Sequence, residues 1–305
     1  MSTIKDFRRD TPPMTARAED AARARLLAAA RERELRHGPR HARRLGRRIA
    51  VAGALAVAVG TTVVVARDRP RAVPVASVRE LGERAAQAAY DDRGQVPGPG
   101  QWLYIKELQA PYRGALGVDL SRRVVSEEWT SVDGKQVASL FPNGKLLVQG
   151  NHPGLGAADL AQQPVTPESV LGRIRVTLED LDRRTWRSGP APSMDEQLFQ
   201  AVYQLMGTLA LPPDVRAALF RGLATIPGVS VTEDVADAAG RRGVAFSYTG
   251  RDARYDLILD PVDFRFLGTY GVQTADGTDP EIKAGTPLTL TARLDAKLVD
   301  GAGQK

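Results

Sequence analysis

The residues able to do bond-making chemistry are few and scattered. Beyond residue 66 the only histidine is His152, in Asn151-His152-Pro153-Gly154. A serine–histidine mechanism would have to use it, and no Gly-x-Ser-x-Gly elbow accompanies it. An exposed loop histidine is the plainer reading. Cysteine is absent, which excludes disulfides, thiolate metal sites, cysteine nucleophiles and a lipidated cysteine anchor. His37 and His41 stand four apart, but Gly38-Pro39 between them keeps the pair off one helical face. Glu127 and Glu128 are adjacent in an extended run, so their side chains point to opposite faces and cannot act on one bond. Asp252, Asp256 and Asp260 fall in strand and turn, where they scatter, and calcium loops need denser oxygen ligands. No phosphate-binding loop or dinucleotide fingerprint is present. The expectation is a protein without catalytic residues, metal or cofactor, and not an enzyme.

Aromatic side chains offer a different chemistry. Trp102, Tyr104, Trp129, Tyr248 and Tyr255 lie in extended runs. They are the candidates to line a cleft holding an acyl chain or a peptide, with core and hairpin packing as the alternative. Trp186, among arginines near a helix end, reads as surface packing.

These residues must be positioned by the elements around them. Ser77 caps a helix through about Ala89, with Glu80 at the capping-box position, and Gln95–Gly100 stops it. Gln101–Leu108 alternates, with Trp102 and Tyr104 on one face and Leu103 and Ile105 on the other. Asp133-Gly134 and Asn143-Gly144 are hairpin turns framing a meander from about Arg123 to Val148. A loop from Gly150 to Pro164 leads to three helices. The first is capped by Thr166 with Pro167 at its first position, the second opens on Ser193 and Glu196, and the third begins at Pro213. Strands return at Val229–Val235, Gly243–Tyr248, Tyr255–Leu259, Phe264–Gly271 and Leu288–Leu298. The connections between strands are too short for crossover helices. This predicts an α+β domain with an antiparallel curved sheet, half-barrel-like, packed around several helices.

Ahead of this domain, Ile49–Ala66 has no charge, amide or proline, and Arg43, Arg44, Arg47 and Arg48 precede it. At a helical rise of 1.5 Å its length is about 27 Å, enough for the hydrocarbon layer. The flanking arginines put the N-terminus inside and the C-terminal domain outside. Val64 and Ala66 also fit a signal-peptide cleavage site, so release after Ala66 stands as the rival expectation. Residues 1–48 carry 14 Lys/Arg against 6 Asp/Glu, whereas residues 49–305 carry 28 against 30. The basic character thus belongs to the arm and not to the main domain, which argues against a nucleic-acid partner. Within the arm, Ala18, Ala22, Leu26 and Ala29 make a narrow apolar stripe on one helix, suited to anionic headgroups or to a cytosolic partner. The expected layout is a basic cytoplasmic arm (1–48), a transmembrane helix (49–66), a stalk (67–75) and an extracytoplasmic α+β domain (76–305).

The stretches Leu211-Pro212-Pro213, Arg216–Leu223, Ile226–Val229, Gly240–Ala245, Leu257–Pro261 and Gly100–Tyr104, in this order of arm, span and domain, resemble a family of uncharacterised actinobacterial single-pass proteins. The resemblance covers nearly the whole chain. Members are often encoded beside an extracytoplasmic-function sigma factor, which implies a link to envelope signalling. The domain's pattern is also similar to the half-open barrels of periplasmic lipoprotein carriers and of an envelope-stress regulator, in which a sheet wraps around helices and leaves an apolar cleft. Neither resemblance supplies a catalytic residue. An arm of this length without cysteine departs from a zinc-type anti-sigma domain, so any contact with a sigma factor would use one helix. The expected function is a non-enzymatic, membrane-anchored envelope binding or sensing module. Its expected partners are the bilayer, a lipid or peptide in the envelope, and a sigma factor through the arm. A structural envelope protein with a filled interior is the alternative, and a secreted hydrolase using His152 or a carboxylate the remaining one.

Overall fold

The structure, a computed structural model, describes residues 75–92, 97–114, 117–141, 143–150, 155–185 (backbone alone at 181–185), 192–276 and 283–305. The arm, Arg43, Arg44, Arg47 and Arg48, the Ile49–Ala66 span, His37, His41, His152 and Trp186 lie outside the described residues. Among the described residues no helix is long and apolar enough to cross a membrane.

The domain opens with α1 (Val78–Asp91). Ser77 Oγ accepts the Glu80 amide at 3.1 Å, and Glu80 reaches back to accept the Ala76 amide at 2.8 Å. This reciprocal cap satisfies donors that the first turn leaves free. The buried face of α1 is small (Leu81, Gly82, Ala85, Ala86, Ala89), so it packs closely on a later helix, α5. Strand β1 (Trp102–Gln109) follows, then the meander β2 (Val124–Ser131), β3 (Gln136–Leu140) and β4 (Leu146–Gly150). Both of its turns use glycine at positive φ, Gly134 at 71° and Gly144 at 79°.

A short helix, α2 (Ala157–Leu160), interrupts the segment expected as loop, because Leu160 is fully buried and anchors the chain. Helices α3 (Pro167–Thr185), α4 (Met194–Thr208) and α5 (Pro213–Leu223) come next. Thr166 and Ser169 exchange side-chain and amide hydrogen bonds at 3.0 and 3.2 Å to start α3. Ser193 Oγ accepts the Glu196 amide at 3.2 Å to start α4. Pro213 occupies the first turn of α5, where the missing N–H costs nothing. Strands β5 (Val229–Ala236), β6 (Arg242–Thr249), β7 (Ala253–Leu259), β8 (Phe266–Gln273) and β9 (Pro287–Val299) complete the domain.

All strands join one antiparallel, curved and unclosed 9-stranded sheet in the order β4-β3-β2-β1-β9-β8-β7-β6-β5. The last strand is therefore the centre, seaming the early meander to the late one. The main core lies between the helices and one face of β5–β8, where Phe199, Leu219, Leu223, Phe246, Leu257 and Leu259 are fully buried or nearly so. The opposite face carries smaller clusters. One is Tyr104, Trp129 and Ala138, covered by the C-terminal segment through Ala302.

Candidate functional site

Alternation along the strands decides what faces the helices. In β1 the side chains of Leu103, Ile105 and Glu107 share one face, and Trp102, Tyr104 and Lys106 the other. Antiparallel pairing carries the first face into β9, where Leu103 stands opposite Leu298, Ile105 opposite Ala296 and Glu107 opposite Arg293. A bulge between Lys106 and Glu107 keeps all three pairs on the same side although the count slips by one.

Two clefts open along this helix-facing side. The larger, of about 990 Å³, is floored by Leu103, Ala296, Leu298 and Arg293. Its walls are the end of α4 (Met206, Leu209), Leu211, Phe220 of α5, and Phe264 and Phe266 after β7. The smaller, of about 490 Å³, lies beside α4, whose Gln197, Gln200 and Gln204 face Glu128 and Thr130 of β2, with Ile174 and Leu178 behind. Leu209 borders both, so the clefts adjoin at the end of α4. Both volumes fall within the usual range of about 300–1,000 Å³ for a small-molecule site, and the larger cleft combines its apolar floor with a charged rim that includes Asp91, Asp92, Arg216, Asp263 and Arg265.

The charged groups of the larger cleft are mostly matched. Arg216 pairs with Asp92 at 2.8 Å, Arg265 with Asp263 at 3.6 Å, and Lys297 with Asp295 at 3.8 Å. Asp91 accepts a hydrogen bond from Gln87 at 3.1 Å. Arg293 differs. Its guanidinium lies 4.8 Å from the ring centroid of Phe266, one Nη donates to the Gly207 carbonyl, and its Nε is buried without a partner. Burial disfavours its charged form, and the field of Glu107 opposes that.

Burial likewise pushes the Glu107 carboxyl above its ordinary value of 4.5, and Arg293 and a hydrogen bond with Thr291 only partly restrain the rise. The sign of the linkage follows. A carboxyl whose folded pKa is raised contributes stability that is fully present below the unfolded value. That contribution is lost as pH rises through the folded value. Replacing Glu107 by Gln should therefore change stability by an amount that grows more favourable, relative to the natural chain, as pH rises from about 4.5 toward 7. Thermal unfolding of both chains across that range measures it. A difference independent of pH would contradict the assignment.

The five aromatics expected to line a cleft divide between the two faces. Trp102, Tyr104 and Trp129 lie on the face away from the helices and border neither cleft. Tyr104 and Trp129 pack at 5.3 Å, Tyr104 donates to Glu127 at 2.9 Å, and Trp129 Nε1 donates to the Gln304 carbonyl at 2.6 Å. They form a small core under the C-terminal segment. Tyr248 and Tyr255 face the helices but pack into the main core against α4. Tyr248 stacks on Phe199 at 5.5 Å and shares a hydrogen bond with Ser193 at 3.2 Å, and Tyr255 meets Tyr203 edge-on at 6.1 Å. Leu103 alternates with Trp102 and Tyr104 in β1, and Ala296 and Leu298 share one face of β9, so the strand period was the signal that could have found these three, while the register slip puts Arg293 out of that period.

The acidic candidates stay apart. Glu127 meets Lys305 at 2.6 Å on the outer face, while Glu128 lines the smaller cleft on the inner one. Asp256 is fully buried and pairs with Arg254 at 2.9 Å, and Asp260 caps a turn by accepting the Val262 amide at 2.9 Å. Among the described residues no group of three or more His, Cys, Asp or Glu could hold a metal ion. Comparison of the chain with models of protein families, with curated proteins and with solved structures gives no match.

Proposed function

We propose that this chain is a membrane-anchored envelope module that binds an apolar or amphipathic molecule in the larger cleft between sheet and helices, without catalysing a reaction. The observation that carries the reading is the cleft itself. It is about 990 Å³ of space floored by Leu103, Ala296 and Leu298 and walled by Met206, Leu209 and Phe266. A fully packed structural protein would have no use for it. An acyl chain suits it: burying about ten methylenes contributes about 8 kcal/mol, from which association and ordering subtract at least about 4 kcal/mol, so the tail alone gives affinity near the millimolar range and a head-group contact must add to it.

The rest of the layout is proposed on sequence grounds. Ile49–Ala66 anchors the chain, the arm of residues 1–48 lies on the cytoplasmic side, and the domain beyond residue 75 folds as a half-barrel around its helices. The ordered motifs resembling the single-pass actinobacterial family support a regulatory output through the arm, with a sigma factor as its partner. The binding reading is tested with cis-parinaric acid and the full chain in phosphatidylcholine nanodiscs, read against empty nanodiscs. A saturable fluorescence gain, reversed by unlabelled fatty acid, is expected. A signal equal to that of empty discs would overturn the reading.

A further inference from the structure

We propose that the larger cleft selects amphiphiles with an anionic head, carboxylate or phosphate, and that the Arg293 guanidinium receives that head while the tail lies along Leu103, Ala296 and Leu298. The inference rests on the cleft being a ligand site. It starts from an imbalance in the charges around that cleft. Arg216, Arg265 and Lys297 pair with the carboxylates of Asp92, Asp263 and Asp295, and the remaining acid of the lining, Asp91, accepts from Gln87. Arg293 makes no ion pair among the described residues, although Glu107 stands opposite it across the β1–β9 ladder.

A guanidinium carries five N–H donors and does not give up its proton in proteins. Arg293 spends one donor on the Gly207 carbonyl, rests on Phe266, and keeps a buried Nε without a partner. Leaving a charged donor desolvated is costly, and the shortfall cannot be relieved by deprotonation. An anion in the cleft offsets the charge and takes Nη donors that the Gly207 carbonyl leaves over, because carboxylate and phosphate oxygens match guanidinium N–H groups. A neutral oxygen accepts a hydrogen bond but brings no countercharge, and a cationic head is repelled. The position suits this role as well. Arg293 sits on the central strand beside Phe266, and the apolar floor runs from it along β9 to Leu298. An anion at Arg293 is therefore placed at one end of an apolar strip.

Calorimetric titration of the full chain in phosphatidylcholine nanodiscs tests this with octyl phosphate, octanoate, octanol, octyltrimethylammonium and inorganic phosphate, each corrected by empty discs. The two anionic octyl compounds should bind about tenfold or more tighter than octanol, and inorganic phosphate should bind far more weakly than octyl phosphate. Arg293→Met should bring the octyl anions to within about twofold of octanol, and Arg293→Lys should keep part of the preference, since a lone ammonium offers charge without the fork. Equal binding of octanol and the octyl anions by the natural chain would overturn the inference and leave the cleft reading standing. So would a preference that survives in Arg293→Met. Inorganic phosphate binding as tightly as octyl phosphate would also overturn it, by showing a free-anion site. Failure of every octyl compound to bind would overturn both. Should Arg293→Met not fold, the order of affinities in the natural chain still decides.

Discussion

Replacing Gly268 by valine should cost the domain at least about 3 kcal/mol, at the upper end of what overpacking does, and lower its melting temperature by about 6–12 °C. Gly268 is buried in β8 where that strand runs against the central strand β9. A Cβ built there would stand 2.2 Å from the Thr291 carbonyl oxygen and 3.0 Å from the Ala292 Cα. These are backbone atoms, so no side-chain rotation can make room, and β9 itself must shift. The shift would also strain the Thr269 amide to Thr291 Oγ1 bond of 3.1 Å. Because β9 seams β1 to β8, the disturbance reaches both halves of the sheet. Glycine inside a strand pattern marks this kind of close backbone approach. Thermal unfolding followed by circular dichroism measures the effect. A melting temperature within about 2 °C of the natural chain would contradict the packing described.

Replacing Ala296 by tryptophan should weaken cis-parinaric acid binding about tenfold or more while leaving stability within about 0.5 kcal/mol. Ala296 is exposed, lies on β9 opposite Ile105, and its side chain faces the larger cleft. The indole would occupy the space where a ligand chain would run, and no core atom needs to move to admit it. Val125→Trp supplies the control. Val125 is 53% exposed on β2 and shares its face with Glu127 and Trp129, away from the cleft. Adding the same bulk there should change neither binding nor stability. Equal affinity in the natural chain and Ala296→Trp would show that the probe sits elsewhere.

Much of this architecture was written locally. Ser77, Thr166, Ser193 and Pro213 carry the start signals of their helices, and each helix begins there. Asp133-Gly134 and Asn143-Gly144 mark the hairpins because only a few residues accept positive φ cheaply. The short strand connections ruled out a parallel sheet. Non-local facts were less legible. Nothing in the run Leu288–Leu298 says that it pairs with β1, nearly two hundred residues away, because pairing partners follow from the whole set of faces that must be buried. The segment around Leu160 read as loop since four helical residues carry no periodicity.

The site was half legible, for the same reason. The alternation of β1 separates Trp102 and Tyr104 from Leu103 and Ile105, but it does not say which side the helices will cover. In β1 and β2 the large aromatics drew attention to the face of Trp102, Tyr104 and Trp129. That face instead buries Tyr104 and Trp129 under Gln304 and its neighbours. Arg293 had no sequence signal of its own. An arginine two residues before an aspartate in a strand looks solvated, and only the opposing Glu107 and the end of α4 make it a desolvated cation.

In the cell the larger cleft is expected to hold a molecule. The direct measurement is mass spectrometry of the organic extract from the purified full chain, run beside Ala296→Trp prepared in the same way. An amphiphile with an anionic head is expected, near one per chain in the natural protein and strongly depleted in the variant. An extract without any such molecule, or equal amounts from both chains, would contradict it.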